Sequence, residues 1–113
     1  MLFERKAGRV VTVRSDAEPE NFCKPAVDPM MRSLVSVYGA KVLAVILTGM
    51  GQDGAKGCEA VVEADGTVFS QDESTSVVWG MPAAVAKRGL CSDILPIDEL
   101  AGRIKSFVLG RAA

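Results

Sequence analysis

The chain has 113 residues, of which 49% are apolar and 24% are charged, and its formal net charge at pH 7 is −1. These values are typical of one globular domain or of part of one. There is no basic run, and the aromatic residues are one Trp, one Tyr and four Phe, so a nucleic-acid surface is not expected. The apolar runs are too short to span a membrane and nothing marks the chain for export, so we expect a cytoplasmic protein without membrane insertion.

The three cysteines are widely spaced, and the chain has no histidine. Without a CxxC pair, the cysteines predict neither a disulfide framework nor a zinc site. Cys23, Cys58 and Cys91 are therefore expected to be small buried apolar residues. The absence of histidine removes the commonest general base and the commonest metal ligand. Any catalysis confined to this chain would have to proceed without imidazole.

The first half of the chain alternates strand and helix patterns. Residues 9–14 are rich in β-branched side chains and predict a strand. Asp28 is a good N-cap and Pro29 suits the first helical position, so a helix is predicted over about residues 29–38. Residues 41–48 form a nearly continuous apolar run, which is typical of a central parallel strand covered on both faces.

The second half continues this alternation, and Cys58, Val61 and Val62 share one face of its first helix. The predicted elements are a helix over about 54–64, a strand at 67–71, a helix that starts at 72–76 and is broken or restarted at 80–82, an edge strand at 93–95 and a helix at 97–109. This order predicts an α/β fold with a doubly wound, mostly parallel sheet flanked by helices. Nothing covers the first strand, so we expect the later part of a domain, with an exposed sheet surface that favours a homo-oligomer.

The turn after the predicted central strand has two interpretations. Gly49, Gly51 and Gly54 form a GxGxxG sequence, which is typical of a dinucleotide site at a helix N-terminus. Asp53 lies in the same turn, and as an N-cap its carboxylate would occupy the amides that a phosphate needs and would repel it. Plain N-capping explains Asp53 most simply. Its place at the carboxyl end of a central strand would also suit an acid that orients a histidine, as in a Ser-His-Asp triad.

The sequence ILTGMGQDGAKG, residues 46–57, resembles the signature of the catalytic domain of the bacterial chemotaxis protein-glutamate methylesterase (CheB) family. Three further segments are similar to that family in the same order: KPAVDPMMRS at 24–33, GTVFSQDESTSVVWGMP at 66–82 and GLCSDILPIDELAGRI at 89–104. The resemblance extends over roughly residues 8–107. It implies a serine hydrolase with a doubly wound α/β fold.

The resemblance also implies roles for the residues of the turn. Asp53 corresponds to the catalytic aspartate that orients the triad histidine, and Met50 to the methionine placed at the oxyanion hole, where a main-chain N–H faces the tetrahedral intermediate. Gly49, Gly51 and Gly54 would let this backbone turn tightly beside the substrate. The implied activity is hydrolysis of methyl esters on glutamate side chains, with deamidation of glutamines, through an acyl-enzyme and without a metal or organic cofactor. The implied partner is the cytoplasmic region of methylated chemoreceptors.

The family's nucleophilic serine and its histidine belong to segments that are not present in this chain, and the same holds for its receiver domain. We therefore expect residues 1–113 to be the C-terminal portion of a methylesterase catalytic domain, inactive alone, with the N-terminal part as its partner. The hydroxyls of Ser74, Thr75 and Ser76 are better explained as caps of a following helix, and Lys56 as a solvated side chain. The alternatives are a non-catalytic interaction module and a nucleotide-binding domain.

Overall fold

The computed structural model describes residues 2–13 and 26–112. The elements in these ranges are β1 (Leu2–Lys6), β2 (Arg9–Val13), α1 (Val27–Tyr38), β3 (Leu43–Ile46), α2 (Ala55–Glu63), β4 (Thr67–Gln71), α3 (Met81–Lys87), β5 (Asp93–Leu95) and α4 (Ile97–Ala112). Strands β3, β4 and β5 form one parallel sheet in that order, with helices between them. The predicted α/β class, with a parallel sheet flanked by helices, is confirmed.

Strand β4 is the central strand of the three, and its residues 68–71 are all buried. Strand β3 was predicted as the central strand over residues 41–48, but it is shorter and lies at one edge of the described sheet. Only every second residue of β3, Ala44 and Ile46, is buried. Among the residues described, one face of β3 is therefore buried and the other is only partly covered, although its sequence is almost continuously apolar.

Strands β1 and β2 form a separate antiparallel hairpin, with Leu2 paired to Val13. The two turn residues, Ala7 and Gly8, both have positive φ angles (51° and 80°), as the right-handed twist of a two-residue hairpin requires. The hairpin packs on α1, where the main-chain N–H of Phe3 donates to Ser33 Oγ at 2.8 Å. The strand predicted over residues 9–14 is observed as β2 over Arg9–Val13, and residue 14 lies outside the described residues. Strand β1 was missed, and β2 is not part of the parallel sheet.

Three predicted helix starts are corrected. Helix α1 begins at Val27 after Ala26, so Asp28 is inside the helix and is not its N-cap. Helix α2 begins at Ala55, so its N-cap is Gly54, which has a φ of 106° and no side chain to cap the helix. No helix starts at residues 72–76; these form turns instead, and α3 begins at Met81.

The core lies between the sheet and helices α1, α2 and α3. Its buried members are Met31, Ala44, Ile46, Ala55, Cys58, Val61, Val68 and Val85. The predicted apolar face of α2 is confirmed for Cys58 and Val61 but is wrong for Val62, which is 36% exposed. Cys58 is fully buried as predicted, and burial raises the pKa of its thiol to about 12, which disfavours the reactive thiolate. Cys91 is half-buried, and Cys23 lies outside the described residues.

Helix α4 closes the other side of β4. The ring of Phe107 contacts Phe69 edge-on at 5.4 Å between centroids, and the guanidinium of Arg103 lies 5.1 Å from the centre of the Phe69 ring. Within residues 2–13 and 26–112, no helix combines the length and the apolar character needed to cross a membrane.

Candidate active site

The turn that follows β3, residues 49–54, is called the glycine turn here. It is fixed at its first residue by main-chain bonds to the segment before α3: the N–H of Gly49 donates to the carbonyl of Val78 at 2.9 Å, and the carbonyl of Gly49 accepts from the N–H of Gly80 at 3.0 Å. Thr48 Oγ1 adds two bonds to Val78, donating to its carbonyl at 3.0 Å and accepting from its N–H at 2.8 Å. The start of the glycine turn is therefore hydrogen-bonded to the segment before α3 as in a short pair of strands.

The side chain of Gln71, at the end of β4, binds the backbone of Thr48, directly before the glycine turn. Gln71 is 3% exposed; its Oε1 accepts from the main-chain N–H of Thr48 at 2.8 Å, and its Nε2 donates to the carbonyl of Thr75 at 2.8 Å. Both ends of the amide are thus satisfied, as burial of a polar group requires. Gln71 connects the start of the glycine turn to the turn that follows β4.

Gly80 is a third support, because it has no side chain. A β-carbon at this position would lie 2.7 Å from the carbonyl oxygen of Gly49, 2.9 Å from the nitrogen of Gly51 and 3.2 Å from Cα of Met50. The backbone at Gly80 can approach the glycine turn this closely only without a β-carbon. Neither this role of Gly80 nor that of Gln71 was predicted from the sequence.

Met50 lies at the outer side of the glycine turn, and its side chain is 79% exposed. The next residue, Gly51, has a φ of 82°, a conformation that favours glycine. Within the described parts of the chain, the main-chain N–H groups of Met50 and Gly51 have no hydrogen-bond acceptor. The glycine turn thus presents main-chain donors at the carboxyl end of the sheet.

Asp53 does not cap the helix that follows it. Its half-buried carboxylate binds the start of α1 instead: Oδ2 accepts from the N–H of Val27 at 2.8 Å, and Oδ1 accepts from the N–H of Asp28 at 3.1 Å. The prediction that Asp53 is the N-cap of α2 is therefore wrong. Capping itself is present, but the capped helix is α1.

Asp28 makes the reciprocal contact. Its side chain is 1% exposed, and Oδ1 accepts from the N–H of Gly54 and from the N–H of Gly57, both at 2.8 Å. Helices α1 and α2 begin side by side, so each acid reaches the free amides of the neighbouring helix. A β-carbon on Gly57 would lie 2.8 Å from Cβ of Met31, which shows how closely the two helices approach. Asp28 thus caps α2, and the prediction that it caps its own helix is wrong.

These contacts bear on the nucleotide interpretation of the GxGxxG sequence. A phosphate at the start of α2 would need the N–H groups of its first turn. Two of them already donate to Asp28, and a phosphate would have to displace this buried carboxylate and lie near the charge of Asp53. The geometry therefore disfavours a dinucleotide site.

Comparison with known sequences decides the family. The sequence model of the family described as CheB methylesterase matches residues 1–104. The chain belongs to the CheB methylesterase family. The resemblance noted in the sequence is confirmed.

Relatives and a solved structure agree with this assignment. The CheB-family chain is 58% identical to the protein-glutamate methylesterase/protein-glutamine glutaminase of group 2 operon of Rhodospirillum centenum over 113 residues, which is 100% of the chain and 28% of that protein. It is 57% identical to the protein-glutamate methylesterase/protein-glutamine glutaminase of Azospirillum brasilense, covering 100% of the chain and 29% of that protein. The crystal structure of the Thermotoga maritima CheB methylesterase catalytic domain superposes with a TM-score of 0.87 at 35% identity, over 90% of this chain and 54% of that one.

All five residues assigned to the site by resemblance lie in the glycine turn of this CheB-family chain: Asp53, Met50, Gly49, Gly51 and Gly54. Other hydroxyls considered are occupied elsewhere, because Thr75 Oγ1 donates to Asp72 at 2.6 Å and Ser76 Oγ to the carbonyl of the same residue at 2.7 Å. The bond from Thr75 lowers the pKa of Asp72. Among the residues described, no group of three or more His, Cys, Asp and Glu side chains is arranged to hold a metal ion.

Proposed function

We propose that this chain supplies the acid of a Ser-His-Asp triad, Asp53, and an oxyanion-hole donor, the main-chain N–H of Met50, to a protein-glutamate methylesterase. The chain spans 28% of the length of its Rhodospirillum centenum relative, and the serine and histidine would come from the remainder of such a protein. One observation carries the proposal: the half-buried carboxylate of Asp53 is oriented by two hydrogen bonds in the same turn that presents the Met50 amide.

The surroundings of Asp53 suit the role of a triad acid. Its Oδ2 accepts from the N–H of Val27 and its Oδ1 from the N–H of Asp28, so main-chain donors of α1 orient both carboxylate oxygens. The positive end of the α1 dipole lies at this carboxylate and favours its negative charge. In a triad such an acid fixes the histidine tautomer and stabilises the imidazolium that forms during the reaction.

The reaction follows the acyl-enzyme route. The serine oxygen attacks the ester carbonyl of a methylated glutamate while histidine takes the hydroxyl proton, and methanol leaves with a proton returned by histidine. Water then attacks the acyl-enzyme and releases glutamate. With glutamine as substrate, ammonia leaves in place of methanol. The N–H of Met50 would donate to the oxyanion of each tetrahedral intermediate, in a turn whose first residue, Gly49, is held by main-chain hydrogen bonds.

The substrate of this reaction would be the cytoplasmic region of methylated chemoreceptors, which places the proposed activity in the cytoplasm. Residues 1–113 would form the C-terminal portion of the catalytic domain. Without serine and histidine, the isolated chain would be inactive, since only substrate binding and the oxyanion donor would remain.

One observation favours the second candidate, an interaction module. No described strand pairs with the outer side of β3, and Leu47 at its end is 45% exposed. An unpaired apolar edge favours association with another chain. The two candidates differ in their dependence on Asp53, since association through β3 needs no carboxylate at that position.

The test uses a chimaeric enzyme: the Rhodospirillum centenum relative with its matching segment replaced by residues 1–113 of this chain. Asp53→Asn keeps the shape of the side chain but removes its charge, and we expect kcat for methanol release from a methylated chemoreceptor fragment to fall by about 10³- to 10⁴-fold. Asp65→Asn is the matched control, because Asp65 lies at the far end of α2 with a φ of 68° that asparagine tolerates. An Asp53→Asn enzyme with more than about a tenth of the parent kcat would contradict the proposal.

The isolated chain provides a complementary measurement. We expect no ester hydrolysis above the blank at high protein concentration. Turnover that disappears with Asp53→Asn would show that the chain contains its own nucleophile and base.

Saturable binding of a dinucleotide that Asp53→Ala does not improve would favour the nucleotide alternative.

A further inference from the structure

We propose that Asp28, a buried acid with no part in the chemistry above, is a positioning residue that holds Asp53 in its catalytic orientation. This inference rests on the proposed function of Asp53. It concerns the reciprocal contact between the N-termini of α1 and α2.

The two acids and the two helix starts form a closed ring of hydrogen bonds. Asp53 accepts from the N–H groups of Val27 and Asp28, which fixes its carboxylate against α1. Asp28 accepts from the N–H of Gly54, the residue directly after Asp53, and from that of Gly57. Each acid therefore binds the backbone that carries the other. The Asp28 side chain thus holds the backbone next to Asp53, and the Asp53 side chain in turn binds the first two N–H groups of α1.

The backbone around Asp28 is shaped to allow this contact. Gly57 brings α2 so close to α1 that a β-carbon there would lie 3.2 Å from Cα of Asp28. Gly54 takes a φ of 106°, which aims its N–H toward α1. Apolar contacts such as that of Met31 with α2 hold the two helices together but do not select one rotation of the chain at Asp53. Burial of a carboxylate is costly unless it is hydrogen-bonded. The N–H groups of Gly54 and Gly57 supply two such hydrogen bonds to the buried carboxylate of Asp28.

Removal of the Asp28 carboxylate should therefore lower the reaction rate indirectly, by displacing Asp53. In the chimaeric enzyme, Asp28→Ala leaves the N–H groups of Gly54 and Gly57 without their acceptor, and the turn that carries Asp53 relaxes. A misplacement of about 1 Å in a catalytic constellation costs on the order of 10²-fold in rate. We expect kcat to fall by about 10- to 100-fold with KM changed less than about twofold. Asp28→Asn keeps one oxygen for both amides and should restore most of the loss.

A matched control separates positioning from general destabilisation. Val61 is fully buried on α2 and makes none of the four hydrogen bonds of the ring, so Val61→Ala weakens the packing of the same helix and removes none of these bonds. At a temperature where both variants are folded, kcat of Val61→Ala should stay within about twofold of the parent. An equal fall of kcat in both variants would overturn the positioning role.

Amide hydrogen exchange gives a readout that does not depend on activity. The N–H of Val27 binds Asp53 and not the side chain of Asp28. If Asp28 holds Asp53, Asp28→Ala should speed exchange at Val27 by about 10-fold or more, whereas Val61→Ala should not do so selectively. Should Asp28→Ala not fold, Asp28→Ser, whose short side chain can reach only one of the two amides, carries the same tests.

The outcomes distinguish this inference from the proposed function. If Asp53→Asn abolishes turnover but Asp28→Ala changes neither kcat nor exchange at Val27, the positioning role is wrong and the proposed function stands. If Asp53→Asn leaves turnover unchanged, the proposed function is wrong, and the catalytic meaning of the Asp28 contact is lost with it, whatever the Val27 amide does.

Discussion

Replacement of Gly80 by alanine should displace the turn that carries Met50. The new β-carbon would lie 2.7 Å from the carbonyl oxygen of Gly49 and 2.9 Å from the nitrogen of Gly51. Both are main-chain atoms, so no flexible side chain can move away. An ordinary contact of about 3.5 Å requires a shift of roughly 0.6–0.8 Å. Overpacking of this kind costs about 1–3 kcal/mol of stability, and a displacement of that size at a catalytic group costs on the order of 10²-fold in rate.

The assay is methanol release by the chimaeric enzyme carrying Gly80→Ala, with kcat expected to fall by about 100-fold and KM little changed. Gly102→Ala is the matched control, because Gly102 is exposed on α4 and the added carbon would meet no atom within 4 Å apart from the local backbone of its own helix. That change should leave kcat unaltered and stabilise the helix by about 0.5–1 kcal/mol. A folded Gly80→Ala enzyme whose kcat lies within about twofold of the parent would refute the role given to this close approach.

Two predictions concern buried polar groups of the chimaeric enzyme. Burial raises the pKa of Cys58 from 9.0 to about 12, so between these pH values only the unfolded state loses the thiol proton. The free energy of unfolding should therefore decrease above pH 9, by at most about 1.4 kcal/mol per pH unit; an unchanged alkaline slope in Cys58→Ala would contradict this. Gln71→Glu places a carboxylate oxygen against the carbonyl of Thr75 in place of the present donor, 2.8 Å away. It should cost about 1–3 kcal/mol at pH 7 in a denaturant titration and less at pH 4, where the acid can donate; equal stability at pH 7 would count against the bond.

Local patterns predicted the parallel part of the fold well. The short apolar runs of β4 and β5 are bounded by turn residues, and the predicted strands at 67–71 and 93–95 coincide with those observed. Helix α2 differs by one residue at each end from its predicted range of 54–64. Strand β1, in contrast, was missed because Leu2–Lys6 carries three charged residues in five, and only pairing with β2 identifies it as a strand.

The turn between β3 and α2 was predicted from the sequence, but the hydrogen bonds of its residues were not. The glycine spacing located this turn because it is a feature of the local sequence. Which helix Asp53 and Asp28 would cap depends on where α1 and α2 begin relative to one another, and that is a tertiary property. The supporting roles of Gln71 and Gly80 could not be predicted either, because they also depend on tertiary contacts. Gln71 binds Thr48, 23 positions away, and Gly80 lies against Gly49, Met50 and Gly51, about 30 positions away.

The position of β3 at the border of the described sheet has a consequence for how a complete site could be assembled. A parallel strand added along Leu43–Ile46 would follow the regular backbone ladder, so its carboxyl end would arrive beside the turn that holds Asp53. Residues just beyond that end would be brought to the carboxylate by main-chain register alone. Slippage by a single ladder step would move them about 7 Å and separate them from the acid.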